Sequence, residues 1–134
     1  LIVDQLTYHF RAPERGDVVV FRYPNDTSVF FIKRIIGLPR ETVRIDEEGT
    51  HIIDQTGKET LLKEPFTAPH TQNADGVVSL TLGADEYFVM GDNRDASSDS
   101  RVWGAVPAKD IMGRAFLRLL PASHLSLFPG YFHL

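Results

Sequence analysis

Val29-Phe30-Phe31-Ile32-Lys33-Arg34-Ile35-Ile36 is a run of β-branched and aromatic residues interrupted by two adjacent cations. Such side chains favour a pleated, extended backbone. The strand period of two puts Val29, Phe31, Lys33 and Ile35 on one face and Phe30, Ile32, Arg34 and Ile36 on the other. Upstream, the turn signal Tyr23-Pro24-Asn25-Asp26 joins it to a second apolar run, Asp17 to Tyr23. Further runs of the same kind cover Glu41 to Asp46, His51 to Asp54, Val77 to Leu82, Glu86 to Met90 and Gly113 to Leu120. Between them lie Pro13-Glu14-Arg15-Gly16, Gly37-Leu38-Pro39, Glu47-Glu48-Gly49 and Gln55-Thr56-Gly57, all with turn chemistry. His51 to Lys58 reads as half a hairpin. No stretch keeps a helical apolar period for three turns, although Pro107 to Ile111 suits a single turn. The expectation is a mainly β chain with little helix.

At 134 residues the chain is sized for one domain spanning 1–134. Residues 59–76 carry two prolines and no clear periodicity, and read as an excursion from the core, either a solvated loop or a flap over a substrate. With 43% hydrophobic and 24% charged residues, disorder and coiled coils are excluded. Cysteine is absent, which excludes disulfides, a thiol nucleophile and thiolate metal sites. A net charge of -4 without a basic cluster argues against nucleic-acid binding. No apolar run approaches the ~18 residues needed to cross a bilayer. The opening Leu1-Ile2-Val3-Asp4 reads as mid-strand, as if upstream residues had been cut away.

Several short patterns carry no function. Arg15-Gly16-Asp17 and Asn25-Asp26-Thr27 match three-residue motifs that arise constantly by chance. Asp92-Asn93-Arg94-Asp95 begins like a calcium loop, but a cation fills the third position and Trp103 stands where a bidentate Glu belongs. The five histidines, at 9, 51, 70, 124 and 133, have no ligand spacing, so neither a metal nor another cofactor is expected.

Two segments do suggest chemistry. Lys33 has apolar neighbours on both sides, and an ammonium held against such surface is disfavoured relative to the amine, so its pKa should fall toward the ~7–8 useful in a general base. The competing reading is that Lys33 and Arg34 snorkel from an edge strand and only solubilise it. The second segment, Gly91-Asp92-Asn93-Arg94-Asp95-Ala96-Ser97-Ser98-Asp99-Ser100-Arg101, has three acids and two arginines and can satisfy itself through Asx turns and Arg-carboxylate forks. It can brace a neighbouring strand or be an inert turn. No nucleophile with a base beside it stands out.

Taken in order, Arg15-Gly16-Asp17-Val18-Val19-Val20-Phe21, Ile32-Lys33-Arg34-Ile35-Ile36-Gly37-Leu38-Pro39 and Gly91 through Arg101-Val102-Trp103-Gly104 resemble the sequence boxes of bacterial type I signal peptidases. The resemblance spans nearly the whole chain. It implies coiled antiparallel β-sheets of the signal-peptidase type. It also implies a membrane-associated serine endopeptidase with a Ser-Lys dyad, removing signal peptides from exported preproteins on the outer face of the cytoplasmic membrane. Lys33 then matches the general base, and Ser97 a serine whose hydroxyl contacts it. Asp99 and Arg101 match a bracing ion pair, and Asp92 and Arg94 further supports. Val20, Phe31 and Ile32, with Phe30 beside them, match positions lining shallow pockets for small residues at the cleavage site.

Two departures accompany the resemblance. The family nucleophile belongs to a Ser-Met box before the stretch equivalent to Leu1-Ile2-Val3, and none of the seven serines here is followed by Met. The nucleophile and the membrane anchor that would contact lipid are therefore expected upstream. The fragment alone is expected to be inactive and, with apolar surface uncovered, to self-associate. Arg40 stands where the family usually has Gly after Leu-Pro; a positive φ there would strain the turn. Two rival readings are a self-cleaving repressor-type Ser-Lys domain and a catalytically idle β module that binds peptides.

Overall fold

β3, Asp26–Gly37, is twelve residues long and runs antiparallel between β2, Val18–Tyr23, and β8, Glu86–Met90. It is therefore an interior strand, and the edge-strand reading of Lys33 and Arg34 is overturned. The computed structural model describes residues 2–64, 77–96 and 98–116. Within them β1 (Ile2–Asp4), β2, β3, β8, β9 (Val106–Pro107) and β10 (Ile111–Phe116) form a six-stranded sheet in the order β1-β10-β2-β3-β8-β9. A second, four-stranded sheet is built from β4 (Thr42–Asp46), β5 (Gly49–Ile53), β6 (Glu59–Leu61) and β7 (Val78–Thr81), in the order β6-β5-β4-β7. Every pairing is antiparallel.

Helix is confined to α1, Ser100–Trp103, and the 3-10 turns Thr7–His9 and Ala108–Asp110 among the described residues. The second of these turns lies within the Pro107 to Ile111 stretch that suited a single turn. No helix among the described residues is long and apolar enough to cross a membrane. The chain is thus mostly antiparallel β, as its residue pattern implies.

Period-two alternation explains how one strand serves two cores. On β8, Tyr87 and Val89 join Val19, Phe21, Ile35 and Val106, while Phe88 and Met90 join Ile36, Val43, Ile45, Ile52 and Leu82. A strand covered on both faces needs apolar residues throughout, hence the unbroken Tyr87-Phe88-Val89-Met90. Gly37 lies where β3 leaves for the second sheet. A Cβ built there would stand 2.5 Å from Val43 Cγ2 and 2.9 Å from Leu82 Cδ1, so the close approach of the strands depends on its absence.

Local turns follow the sequence closely. Asp54 Oδ1 accepts hydrogen bonds from the backbone N–H groups of Thr56 and Lys58, which closes the β5–β6 hairpin across the Thr56-Gly57 turn. Glu59–Leu61, at the start of the expected excursion, is therefore a sheet strand rather than loop. Residues 65–76 of that excursion, and 117–120 of the last apolar run, lie outside the described residues. At Arg40 the backbone does adopt φ 70°, the left-handed conformation suspected from the missing glycine.

The Arg15-Gly16-Asp17 turn is a brace on β3. Gly16 N–H donates to Ile35 O at 2.9 Å and Ile35 N–H to Asp17 O at 2.8 Å. Arg15 forks onto Glu41 at 2.7 and 2.8 Å and also reaches Ile36 O. Asp17 in turn accepts from the Tyr8 hydroxyl and from Arg11.

Candidate active site

Lys33 is 1% exposed although it carries an ammonium group. Its strand places it opposite Val19 on β2 and on one face with Phe31 and Ile35. Four rings cluster on this side. Phe31 stacks on Trp103 with centroids 6.3 Å apart and meets Tyr23 at 5.0 Å and Phe21 at 6.2 Å. Lys33 Nζ lies 5.9 Å from the Phe31 centroid, at the outer limit of a cation–π contact. Burial pushes the ammonium down to about 8; the charges of Asp99 and Asp92 oppose that shift, and Arg101 adds to it.

Asp99 is fully buried and organises the loop after β8. As the N-cap of α1 it accepts from Arg101 N–H at 3.1 Å, and its Oδ2 accepts from Gly91 N–H at 3.2 Å. The Arg101 side chain donates to both carboxylate oxygens, at 2.9 and 3.0 Å, and to Arg94 O at 2.6 Å. The neighbouring Ser100 Oγ accepts from Val89 N–H at 2.9 Å and pins α1 to β8. Four acceptor contacts on one buried carboxylate offset its desolvation.

Asp92 and Arg94 fasten this loop in two directions. Asp92 receives Nε and Nη2 of Arg34, at 2.9 and 2.8 Å, and Arg34 Nη1 also donates to Gly16 O. Arg94, 5% exposed, donates from Nε to Gly91 O at 2.7 Å and from Nη1 and Nη2 to Glu64 at 3.2 and 2.8 Å. The loop is thus a support holding β3 and β8 together, and the inert-turn reading has no place for these bonds.

Of the sequence-derived candidates, Lys33, Asp99, Arg101 and Asp92 converge, since the three charged partners all act on the Lys33 ammonium. Arg94 joins them through backbone groups of the same loop. Ser97 lies outside the described residues. The register divides the other candidates: Phe31 shares the Lys33 face, whereas Val20 and Ile32, directly paired and both buried, face the other way with Phe30. The Arg22 guanidinium covers the Phe30 ring at 4.9 Å.

Sequence reasoning assigned no role to Trp103, Ser100 or Glu64. Trp103, the single tryptophan, could have been noticed because it stands two positions after the charged segment. Glu64 offers no such signal, since its partner is 30 positions away. Among the described residues no group of His, Cys, Asp and Glu is arranged to hold a metal ion.

Lys33 is thus an interior β lysine stripped of water, with the charges of Asp99, Asp92 and Arg101 acting on it. The chain belongs to the signal peptidase family: the family model described as Signal peptidase, peptidase S26 matches residues 1–120. It is 38% identical over 132 residues to a probable signal peptidase I-1 of Synechocystis sp., covering 92% of this chain and 63% of that protein. It is also 39% identical to a signal peptidase I of Leptolyngbya laminosa, covering 93% of this chain and 62% of the relative. The chain therefore spans less than two thirds of the length of these relatives. A crystal structure of a signal peptidase I from Enterococcus faecalis superposes with a TM-score of 0.63 at 29% identity, covering 79% of this chain and 98% of that one.

Proposed function

We propose that this chain is the catalytic part of a serine endopeptidase that removes N-terminal signal peptides from exported preproteins, with Lys33 as general base. The observation that carries the reading is the burial of Lys33 beside Asp99 and Arg101, with its ammonium pushed down to about 8. At pH 8 about half of such an amine is neutral, against under about 1% of an ordinary lysine. Only the neutral form can accept a proton.

In this mechanism a serine hydroxyl gives its proton to Lys33 Nζ as its oxygen bonds to the scissile carbonyl carbon. The new ammonium then protonates the leaving amine as the C–N bond breaks. Water releases the acyl group by the reverse proton path. The attacking serine belongs to the family's Ser-Met box. No serine of this sequence precedes a methionine, so residues 1–134 alone are proposed to be inactive. Ser97 is the hydroxyl proposed to orient the amine, with Asp99, Arg101, Asp92 and Arg94 holding the frame.

Val20, Phe30, Phe31 and Ile32 are the proposed lining of recognition pockets for small substrate residues, Phe31 on the Lys33 face and the other three on the opposite face of β2 and β3. The enzyme would act at the outer face of the cytoplasmic membrane, its lipid contact made through an anchor before Leu1. Leu6 and Phe10, 65% and 82% exposed, are the apolar surface through which the isolated fragment would self-associate.

The test is preprotein cleavage by the full-length protein. Lys33→Ala and Lys33→Arg should both abolish it, since a guanidinium stays protonated at any working pH. Wild-type turnover by Lys33→Arg would sink the reading. Cleavage confined to the protein's own chain would favour a self-cleaving repressor-type domain, and peptide binding without cleavage an idle module.

A further inference from the structure

Arg94 is a cation with almost no access to water: its side chain is 3% exposed. The carboxylate paired with it among the described residues is Glu64, whose side chain is 15% exposed and receives both terminal nitrogens of the guanidinium. A fork of this kind fixes both distance and plane. Glu64 reaches the site from the second sheet: it follows β6, and nearby Leu62 N–H is bound to Thr50 O on β5 at 2.9 Å.

The remaining nitrogen of Arg94 donates to Gly91 O, while Gly91 N–H donates to Asp99. The peptide groups of Gly91 therefore lie between Arg94 and Asp99. The carbonyl of Arg94 receives Arg101, which itself holds Asp99. Glu64 thus neutralises the charge on the residue whose side chain holds one flank of the Asp99 carboxylate and whose main-chain carbonyl holds the other.

We infer that Glu64 is a positioning residue of the peptidase site, acting through Arg94 and Gly91 to hold Asp99 against Lys33. The inference rests on the peptidase reading above. The charges that act on Lys33 are Asp99, Asp92 and Arg101. With Glu64 neutralised, Arg94 is left as an uncompensated buried cation and Asp99 is less firmly seated. An Asp99 carboxylate held less firmly supports the Lys33 ammonium less, which disfavours the charged form.

The test uses the full-length enzyme in detergent micelles. Glu64→Gln is expected to lower kcat about tenfold with KM within about twofold, and to move the acid limb of the pH–rate profile about one unit down. Glu64→Asp, which keeps the charge, should restore most of both. An acid limb unmoved in Glu64→Gln, or equal impairment of the two variants, would overturn the inference and leave Glu64 a stabilising residue only. Should Glu64→Gln fail to fold, Glu64→Leu with Arg94→Met takes its place, removing both charges at once. It is expected to displace the same limb, and an unmoved limb counts against the inference equally.

Titration of the Lys33 side chain by NMR separates this from failure of the peptidase reading. If the wild type cleaves no preprotein, that reading fails. A Lys33 titration displaced in Glu64→Gln then still sustains the link from Glu64 to Lys33, and an unchanged one refutes it.

Discussion

The Arg34 guanidinium meets the Asp92 carboxylate as a fork, Nε to Oδ1 at 2.9 Å and Nη2 to Oδ2 at 2.8 Å, across 58 positions of sequence. Arg34 is the neighbour of Lys33 and faces away from it, so the strand is gripped on one side while Lys33 is presented on the other. Both side chains are 19% exposed, between the surface and buried extremes. Asp92→Asn should therefore cost about 1–3 kcal/mol, more than a surface pair and less than a buried one. Thermal unfolding of Asp92→Asn, Arg34→Met and the double variant checks this through their coupling energy.

The second prediction concerns pH and stability. Lys33 titrates near 8 when folded and near 10.5 when unfolded, so between these values the unfolded chain binds the extra proton. Stability must then rise with pH across that window, and the cost of burying the ammonium is fully present below about 8. The difference amounts to about 3 kcal/mol at most. Lys33→Met should consequently be more stable than wild type at pH 7, with the gap narrowing by pH 10. Denaturant midpoints at the two pH values test it, and a gap that widens would show that Lys33 is not held against its charge.

Arg40 at φ 70° provides a third. A left-handed L-residue costs about 1–2 kcal/mol, and glycine gives back about 0.4–1 of that through the freedom of its unfolded chain. Arg40→Gly should therefore stabilise by about 0.5–1 kcal/mol, whereas Arg40→Ala, which keeps the strain, should not. Chemical denaturation of the three proteins decides between them.

Gly37→Ala should destabilise by about 1–3 kcal/mol, because the added methyl enters space held by Val43 Cγ2 and Leu82 Cδ1. Val43→Ala in the same chain should recover part of the loss. Absence of any recovery in a double-mutant cycle would mean that Leu82 or the backbone, not Val43, sets the clearance.

Asp99→Ala should lower both the melting temperature and preprotein cleavage. It takes the acceptor from the buried Gly91 N–H and the carboxylate partner from Arg101, whose side chain is 14% exposed, at about 1–3 kcal/mol. A variant melting like wild type yet unable to cleave would make Asp99 a direct participant in proton transfer.

The strands around Lys33 were legible because alternation is a local property, read from Val29 to Ile36 without knowing what lies opposite. The same alternation could not reveal that β3 is interior, since edge and central strands differ in their neighbours and not in their own period. β6 and β9 are three and two residues long, too short for any periodicity to register. α1 was hidden for a related reason: four residues make one turn, held by an Asp99 cap within a segment that reads as polar loop. Lys33, Asp99 and Arg101 were found through ordered sequence boxes rather than physics alone. Glu64 belongs to no box, and an ion pair spanning 30 residues leaves no trace in either partner's surroundings.

Gly37 and Phe88 are partners across one rung of the β3–β8 ladder. The chain thus leaves the six-stranded sheet after Gly37 and rejoins it at Glu86, within two residues of that rung. The distance between these attachment points does not depend on how much chain lies between them, and the entropy of closing a longer segment grows only logarithmically. The four-stranded sheet is for this reason an exchangeable insert. A graft of different length or topology there should leave the Lys33 strand in register on two conditions: it must cover Ile36, Phe88 and Met90, which the present sheet buries, and it must send an acid back to Arg94, or the graft inherits a buried, unanswered charge.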